Sequence, residues 1–245
     1  PDSLIQKIFF LYTFLLYFII FIIFKKKIIF QIRSLHRYFP NIPSVHGKKI
    51  FYSKLRNFYL QNCHNIICES EFLKKKLINM LGKNNCLDKK ILVIYYSYSK
   101  KKNKIRVNFN KEMMNIGILG AVDQNRKDYN ILFKLLENRF FLNKKITLTF
   151  LGSVNTKFAE NKIKEFSKLS KKIISKKYFS EKEFIKFGKK CSFLISLNNK
   201  TNFYGKYRMS GCFGDAILLK KYLYCPNFED PTREFSDFTF YYKNF

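Results

Sequence analysis

Tryptophan is absent, and histidine occurs only three times, at His36, His46 and His64. Acidic residues are scarce as well: 17 Asp and Glu stand against 47 Lys and Arg, a formal charge of +30. Taken alone, that excess suggests nucleic acid, anionic lipid or a phosphorylated ligand. The basic residues, however, are mostly lysines scattered along the whole chain, alongside abundant Phe, Ile, Asn and Tyr. This is the bias of an AT-rich coding sequence rather than a built basic patch. No RRM, KH or zinc-finger signature is present, so no nucleic-acid partner is expected. A regular cysteine framework is also missing. In a chain of this length, Cys63, Cys68, Cys86, Cys191, Cys212 and Cys225 read as free thiols rather than disulfides. Cys63, His64 and Cys68 lie close together, but a closed zinc site needs four well-spaced ligands, so they read as small buried side chains. No Gly-x-Gly-x-x-Gly follows a first strand, which argues against a dinucleotide cofactor.

What is present is apolar: 47% of 245 residues, enough for a substantial core. Ile8–Phe24 carries no charge and is bounded by Lys7 and by Lys25, Lys26 and Lys27. It falls just under the roughly 20 residues that span a bilayer. It has no small-residue cleavage site, and its lysines follow the apolar run, unlike a signal peptide. Three readings stand: a transmembrane anchor with the remainder cytosolic, a helix lying on the membrane, and a buried helix of an α/β domain.

Strands and helices then alternate, which predicts parallel sheets covered on both faces. In a first series, 28–35 reads as a strand ending at His36, 54–61 as a helix, 65–68 as a strand, a helix follows Ser70, and "KKILVIYYSY" is a strand. The polar stretch "SKKKNKIRVNFNKE" reads as a linker. In a second series, strands are expected over 115–120, "KITLTFLGS", "CSFLISL" and "YLYCP", and helices over 129–138, 161–169, "EKEFIKFGKK" and "GCFGDAILLKK". The expected organisation is two Rossmann-like domains, an incomplete one over residues 1–110 and a second over 111–245.

Open α/β sheets place chemistry at the carboxyl ends of their strands. Three stretches qualify. In "MNIGILGAVDQNRKDY", Gly117 and Gly120 flank a strand end, and Arg126 and Lys127 precede a helix start, where exposed N–H groups favour anions. In "YGKYRMSGCFGDAILLKK", Lys206, Arg208, Ser210, Gly211 and Gly214 cluster at a second strand-to-helix junction. There Ser210 can cap the helix, Gly211 leaves its N-terminus open to a phosphate, and Asp215 lies one turn in, within reach of ribose hydroxyls. His36 closes a strand of the first series.

The order of these segments resembles a GT-B glycosyltransferase, close to the family-4-type enzymes of bacterial surface-polysaccharide synthesis. "SLHRYFPNIP" resembles the segment that carries the active-site histidine of the N-terminal domain, and "NIICESEFLKKKL" its strand–Ser–helix segment. "IGILGAVDQNRKDYNILFKLL" followed by "ITLTFLGS" resembles the start of the donor-binding domain. The resemblance implies that His36 positions the acceptor or the transferring sugar, and that Gly120 with Arg126 or Lys127 contacts the donor diphosphate. Asp215 falls on the second acid of the family's Glu-x7-Glu motif, which holds the ribose, and Tyr207 replaces the first. It further implies a nucleotide-diphosphate sugar donor, a saccharide or lipid-linked acceptor, and no cofactor. Arg126, Lys127, Lys206 and helix dipoles stand in for a metal, and no Asp-x-Asp motif is present. The enzyme is then expected on the cytoplasmic membrane face, held there by its apolar helix and positive charge. By the same comparison, strands before Pro1 and a helix after Phe245 are missing, so the chain is expected to be an internal fragment. The competing reading is a non-catalytic protein anchored through residues 8–24, with a degenerate α/β domain behind it; only a true span would resist carbonate extraction.

Overall fold

The computed structural model describes residues 12, 13, 15, 16, 19, 29–35, 38, 39, 57, 58, 60, 61, 63–82, 89–94, 113–138, 144–200 and 204–243. They divide into two compact units. One comprises Pro1–Glu69 with Leu73–Ile94, the other Ser70–Phe72 with Tyr95–Phe245.

In the first unit, β1 (Ile29–Ile32), β2 (Asn65–Cys68) and β3 (Lys90–Val93) form a parallel sheet in that order. Parallel neighbours need a crossover, and α1 (Glu71–Leu81) supplies it between β2 and β3. Its Leu73, Leu77 and Leu81 recur every four residues and so bury a single face. Cys63 and Cys68 are buried, and the Cys63 thiol donates to the Leu60 carbonyl at 3.1 Å. Among the described residues no group of three or more His, Cys, Asp or Glu could hold a metal ion. His36 lies outside the described residues. Of the apolar stretch over 8–24, Tyr12, Thr13, Leu15, Leu16 and Ile19 are described; they are helical, and the four apolar ones are exposed. Among the described residues no helix is long and apolar enough to cross a membrane.

The second unit is a six-stranded, fully parallel sheet in the order β6-β5-β4-β7-β8-β9. Its strands are β4 (Met113–Ile118), β5 (Lys145–Phe150), β6 (Lys172–Ile174), β7 (Phe193–Ile195), β8 (Leu223–Pro226) and β9 (Thr239–Tyr242). Counted within the unit, that order is 3-2-1-4-5-6, the doubly wound arrangement of Rossmann folds. The fold is therefore α/β with parallel, Rossmann-like sheets. The carboxyl halves of β4 and β5 are buried at consecutive positions, as expected when helices cover both faces. Around Phe150 and Phe166 the core gathers Ile116, Ile118, Leu132 and Leu148, and Phe133 stacks on Phe166 with centroids 4.4 Å apart.

The crossovers are α2 (Asn130–Glu137), α3 (Lys157–Ser167), α4 (Glu181–Lys189) and α5 (Cys212–Leu219). α3 starts four residues before the expected position because the Thr156 hydroxyl caps it, accepting from Ala159 N at 3.1 Å. At α4, Ser180 and Glu183 form a reciprocal capping box. Strands β6 and β9 are additions to the sequence reading. β6 is only three residues long and sits among lysines, so it shows no period. β9 is held by register against β8, which is a tertiary signal.

Candidate functional site

The chain leaves β4 toward β5 on one side and returns through β7 on the other, so the switch point of the sheet lies between β4 and β7. Loops at such a point part in opposite directions and leave a crevice at the strand ends. Here the two loops are partly zipped together. Leu119 N donates to Ile195 O at 3.0 Å, Asp128 N to Leu197 O at 2.7 Å and Asn199 N to Arg126 O at 3.0 Å.

Gly120 turns the chain out of β4 with a φ of +80°, a conformation that favours glycine. A Cβ at this position would lie 3.0 Å from the Lys127 ammonium nitrogen. Gly152, at the end of β5, packs on the same turn: a Cβ there would fall 2.0 Å from the Gly120 carbonyl oxygen. Two adjacent strand ends thus meet backbone to backbone. Gly117 has a different role. It lies inside β4, where a Cβ would come within 2.6 Å of Leu194 Cδ2, so it makes room for the core rather than for a ligand.

Arg126 and Lys127, adjacent in sequence, part company. Arg126 is exposed and donates from Nη2 to the Tyr204 hydroxyl at 2.6 Å. Lys127 is only 8% exposed. Its Nζ donates to Leu119 O at 2.9 Å and to Asn198 Oδ1 at 2.8 Å. An ammonium has three N–H donors, so one remains. From Asn198 the chain of bonds continues: its Nδ2 donates to the Ser210 hydroxyl at 3.2 Å. The Gly120 turn, Lys127 and the start of α5 are thereby brought into one connected group.

At the second junction the cap differs from the sequence reading. The N-cap of α5 is Gly211, which has no side chain to cap with. Ser210, one residue earlier and buried, accepts from Cys212 N at 3.4 Å. Gly211 is exposed, and a Cβ there would meet nothing within 4 Å, so the helix start is open. Gly214 is buried in α5. Lys206 is exposed, with its Nζ 5.4 Å from the centre of the Tyr207 ring, and the Arg208 guanidinium lies 5.8 Å from that of Tyr204. Arg126 and Arg208 therefore flank one tyrosine.

Asp215, in the first turn of α5, lines a cavity of about 410 Å³ with Gly152 and Ser153 from the end of β5, Tyr178 and Phe179 after β6, and Glu181 of α4. That volume falls within the range of about 300–1,000 Å³ typical of small-molecule sites. Burial pushes the Asp215 carboxyl up to about 6, and the charge of Lys127 opposes the shift. A neighbouring acid was not foreseen. Glu229, in a single 3-10 turn (Asn227–Glu229) after β8, is fully buried, and burial pushes its carboxyl up as well. Ser196 Oγ donates to Glu229 Oε1 at 2.7 Å, and Tyr242 Oη donates to Ser196 O at 2.6 Å. Asn198, Gly152 and Glu181 also escaped the sequence reading. The Gly-Ser pair closing β5 was the available signal, since it repeats the glycine-after-strand pattern of β4.

No family model matches the chain, and no curated protein matches it. Among solved structures it is similar to TarM, at 13% sequence identity and a TM-score of 0.45, over 81% of this chain and 36% of that one. The chain thus spans little more than a third of the length of that structure.

Proposed function

We propose that this chain is part of a glycosyltransferase that moves a sugar from a nucleotide-diphosphate donor to a saccharide or lipid-linked acceptor in surface-polysaccharide synthesis. The observation that supports the reading is that Lys127, Asn198 and Ser210 link the Gly120 turn to the start of α5 at the switch point of a 3-2-1-4-5-6 sheet, with Asp215 of α5 bordering the adjacent cavity. The spare N–H of Lys127, the exposed start of α5 at Gly211 and the exposed Arg126 supply donors for a diphosphate. Asp215 supplies an acceptor for ribose hydroxyls at the edge of a cavity of nucleoside size.

In the reaction, the bond from the sugar's anomeric carbon to the diphosphate breaks, and negative charge grows on the leaving oxygens. Fixed donors aimed at that charge stabilise the transition state more than the ground state. Lys127 suits the role because Leu119 and Asn198 hold it in place beforehand, so little reorganisation accompanies the reaction. Lys206 and Arg208 would add long-range positive potential at the same junction. His36, in the first unit, is proposed to position the acceptor or the transferring sugar. The two domains are proposed to span residues 1–110 and 111–245, and residues 8–24 with the +30 charge to hold the enzyme against the cytoplasmic membrane face.

The test is calorimetric titration with nucleoside diphosphates. Charge-assisted bonds to phosphate are worth roughly 1.5–3 kcal/mol each. Arg126→Ala, which removes an exposed side chain, should weaken binding about tenfold without unfolding the domain. Unchanged affinity in both Arg126→Ala and Lys127→Ala would sink the diphosphate role.

A further inference from the structure

Glu181 is an acid of the cavity lining whose carboxylate no side chain of the described residues engages. It opens α4, where an acid ordinarily caps the helix or answers its dipole. The cap is made by Glu183, and the two acids share the dipole. The Glu183 backbone N–H donates to Ser180 Oγ at 3.3 Å, its Oε2 accepts from Ser180 N at 3.0 Å, and its other oxygen pairs with Lys176. Among the described residues, neither the Glu181 carboxylate nor that of Asp215 has a hydrogen-bond or ion-pair partner. In a chain with a formal charge of +30, two unpaired carboxylates lining one space of about 410 Å³ is the reverse of what composition would supply.

Much of the remaining lining is apolar or aromatic. Phe179, Phe184 and Tyr178 contribute aromatic rings, and the Tyr178 hydroxyl is tied down by Asn155 Nδ2 at 2.8 Å. Such walls suit a heteroaromatic ring, and an ionised carboxylate beside them can only accept hydrogen bonds. Resting on the proposed function, in which Asp215 takes the ribose, we propose that Glu181 selects the base, and that the base is guanine.

The bases differ in the edges they present. Guanine offers two neighbouring donors, N1–H and the N2 amino group, which match the two oxygens of one carboxylate. Cytosine and adenine each place a ring-nitrogen acceptor beside their amino group, so a carboxylate gains one bond and meets one repulsion. Uracil's single N3–H lies between two carbonyl oxygens, both repelled by Glu181. A site that accepts paired donors rejects an analogue lacking them because its own polar atoms are then left unsatisfied.

The experiment is calorimetric titration of the chain with the diphosphates of guanosine, uridine, cytidine and adenosine, repeated on Glu181→Gln. Glu181 is exposed and unbonded, so the variant should melt at the wild-type temperature. Guanosine diphosphate is expected to bind at least about tenfold more tightly than uridine diphosphate. Glu181→Gln should weaken guanosine diphosphate about tenfold and should not weaken the uridine compound, whose repulsion from the carboxylate it removes. Equal affinities for all four, or a variant that weakens all four alike, would overturn the guanine assignment while leaving a nucleotide-diphosphate site in place. Failure of every nucleotide to bind would overturn both.

Discussion

Two acids near the same lysine are treated in opposite ways. At the ends of β7, β8 and β9, Glu229 is sealed from water; the Ser196 hydroxyl donates to its Oε1, its Oε2 has no hydrogen-bond partner, and Tyr242 donates to the Ser196 carbonyl. At the ends of β5 and β6, Asp215 is half-buried, lines an open cavity and has no hydrogen-bonded partner among the described residues. Burial raises both carboxyls, and in both cases the charge of Lys127 opposes the rise. A group with no exposed surface meets a ligand only if the packing around it opens. One that is partly desolvated beside a cavity costs free energy that a ligand entering the cavity can recover by bonding it. The two acids differ in access rather than in satisfaction: the unpartnered Oε2 of Glu229 is closed off from solvent, whereas Asp215 borders a cavity, and the proposed binding role falls to the β5–β6 side for that reason.

The largest expected effect comes from removing the lysine that both regions share. Lys127→Met would leave Leu119 O and Asn198 Oδ1 without their donor in a buried setting, at roughly 1–3 kcal/mol for each unsatisfied group. Denaturant titration should show a loss of about 3 kcal/mol, accompanied by loss of nucleoside-diphosphate binding. A variant as stable as wild type would mean that the lysine does not join the two regions.

An intermediate effect is expected in the pH dependence of stability. The Asp215 carboxyl rises from its usual 3.8 to about 6 in the folded protein. Between those values the folded state keeps a proton that the unfolded state has released, so stability falls as pH rises through the window. Asp215→Asn cannot titrate and should flatten that decline, as read from melting temperatures across the window. An ionised carboxylate accepts more strongly than a protonated one, so if Asp215 holds the ribose as proposed, nucleotide affinity should rise with pH through about 6.

The smallest effect is expected at Glu229. Glu229→Gln keeps an oxygen for the Ser196 hydroxyl and removes a charge that burial disfavours. Stability should move by less than about 1 kcal/mol and nucleotide affinity by less than about threefold. A tenfold fall in affinity would place Glu229 in the binding site and dissolve the distinction between the two acids.

The alternation of strands and helices was legible because β4, β5 and β7 are short apolar runs bounded by polar turns, and because Ser180 and Glu183 spell out a helix start. The turn at Gly120 was legible for a similar reason, as a glycine just beyond an apolar strand. The fate of Lys127 was not. Nothing local distinguishes it from Arg126; its burial depends on Asn198, 71 residues away. The pairing of Ser196 with Glu229 spans 33 residues and is equally invisible to periodicity. The cavity draws on α4, α5 and the ends of β5 and β6, so its acids come together only once the sheet order is known.

The most direct test of the account sets a nucleoside diphosphate against inorganic pyrophosphate, titrated into wild type and Asp215→Asn at a pH above 6, where Asp215 is ionised. Both ligands offer the diphosphate; only one carries a ribose. Wild type should bind both. The substitution should weaken the nucleoside diphosphate about tenfold and leave pyrophosphate within about threefold. Equal weakening of the two ligands, or a wild-type protein that binds neither, would contradict the assignment of this strand edge to a nucleotide-sugar donor.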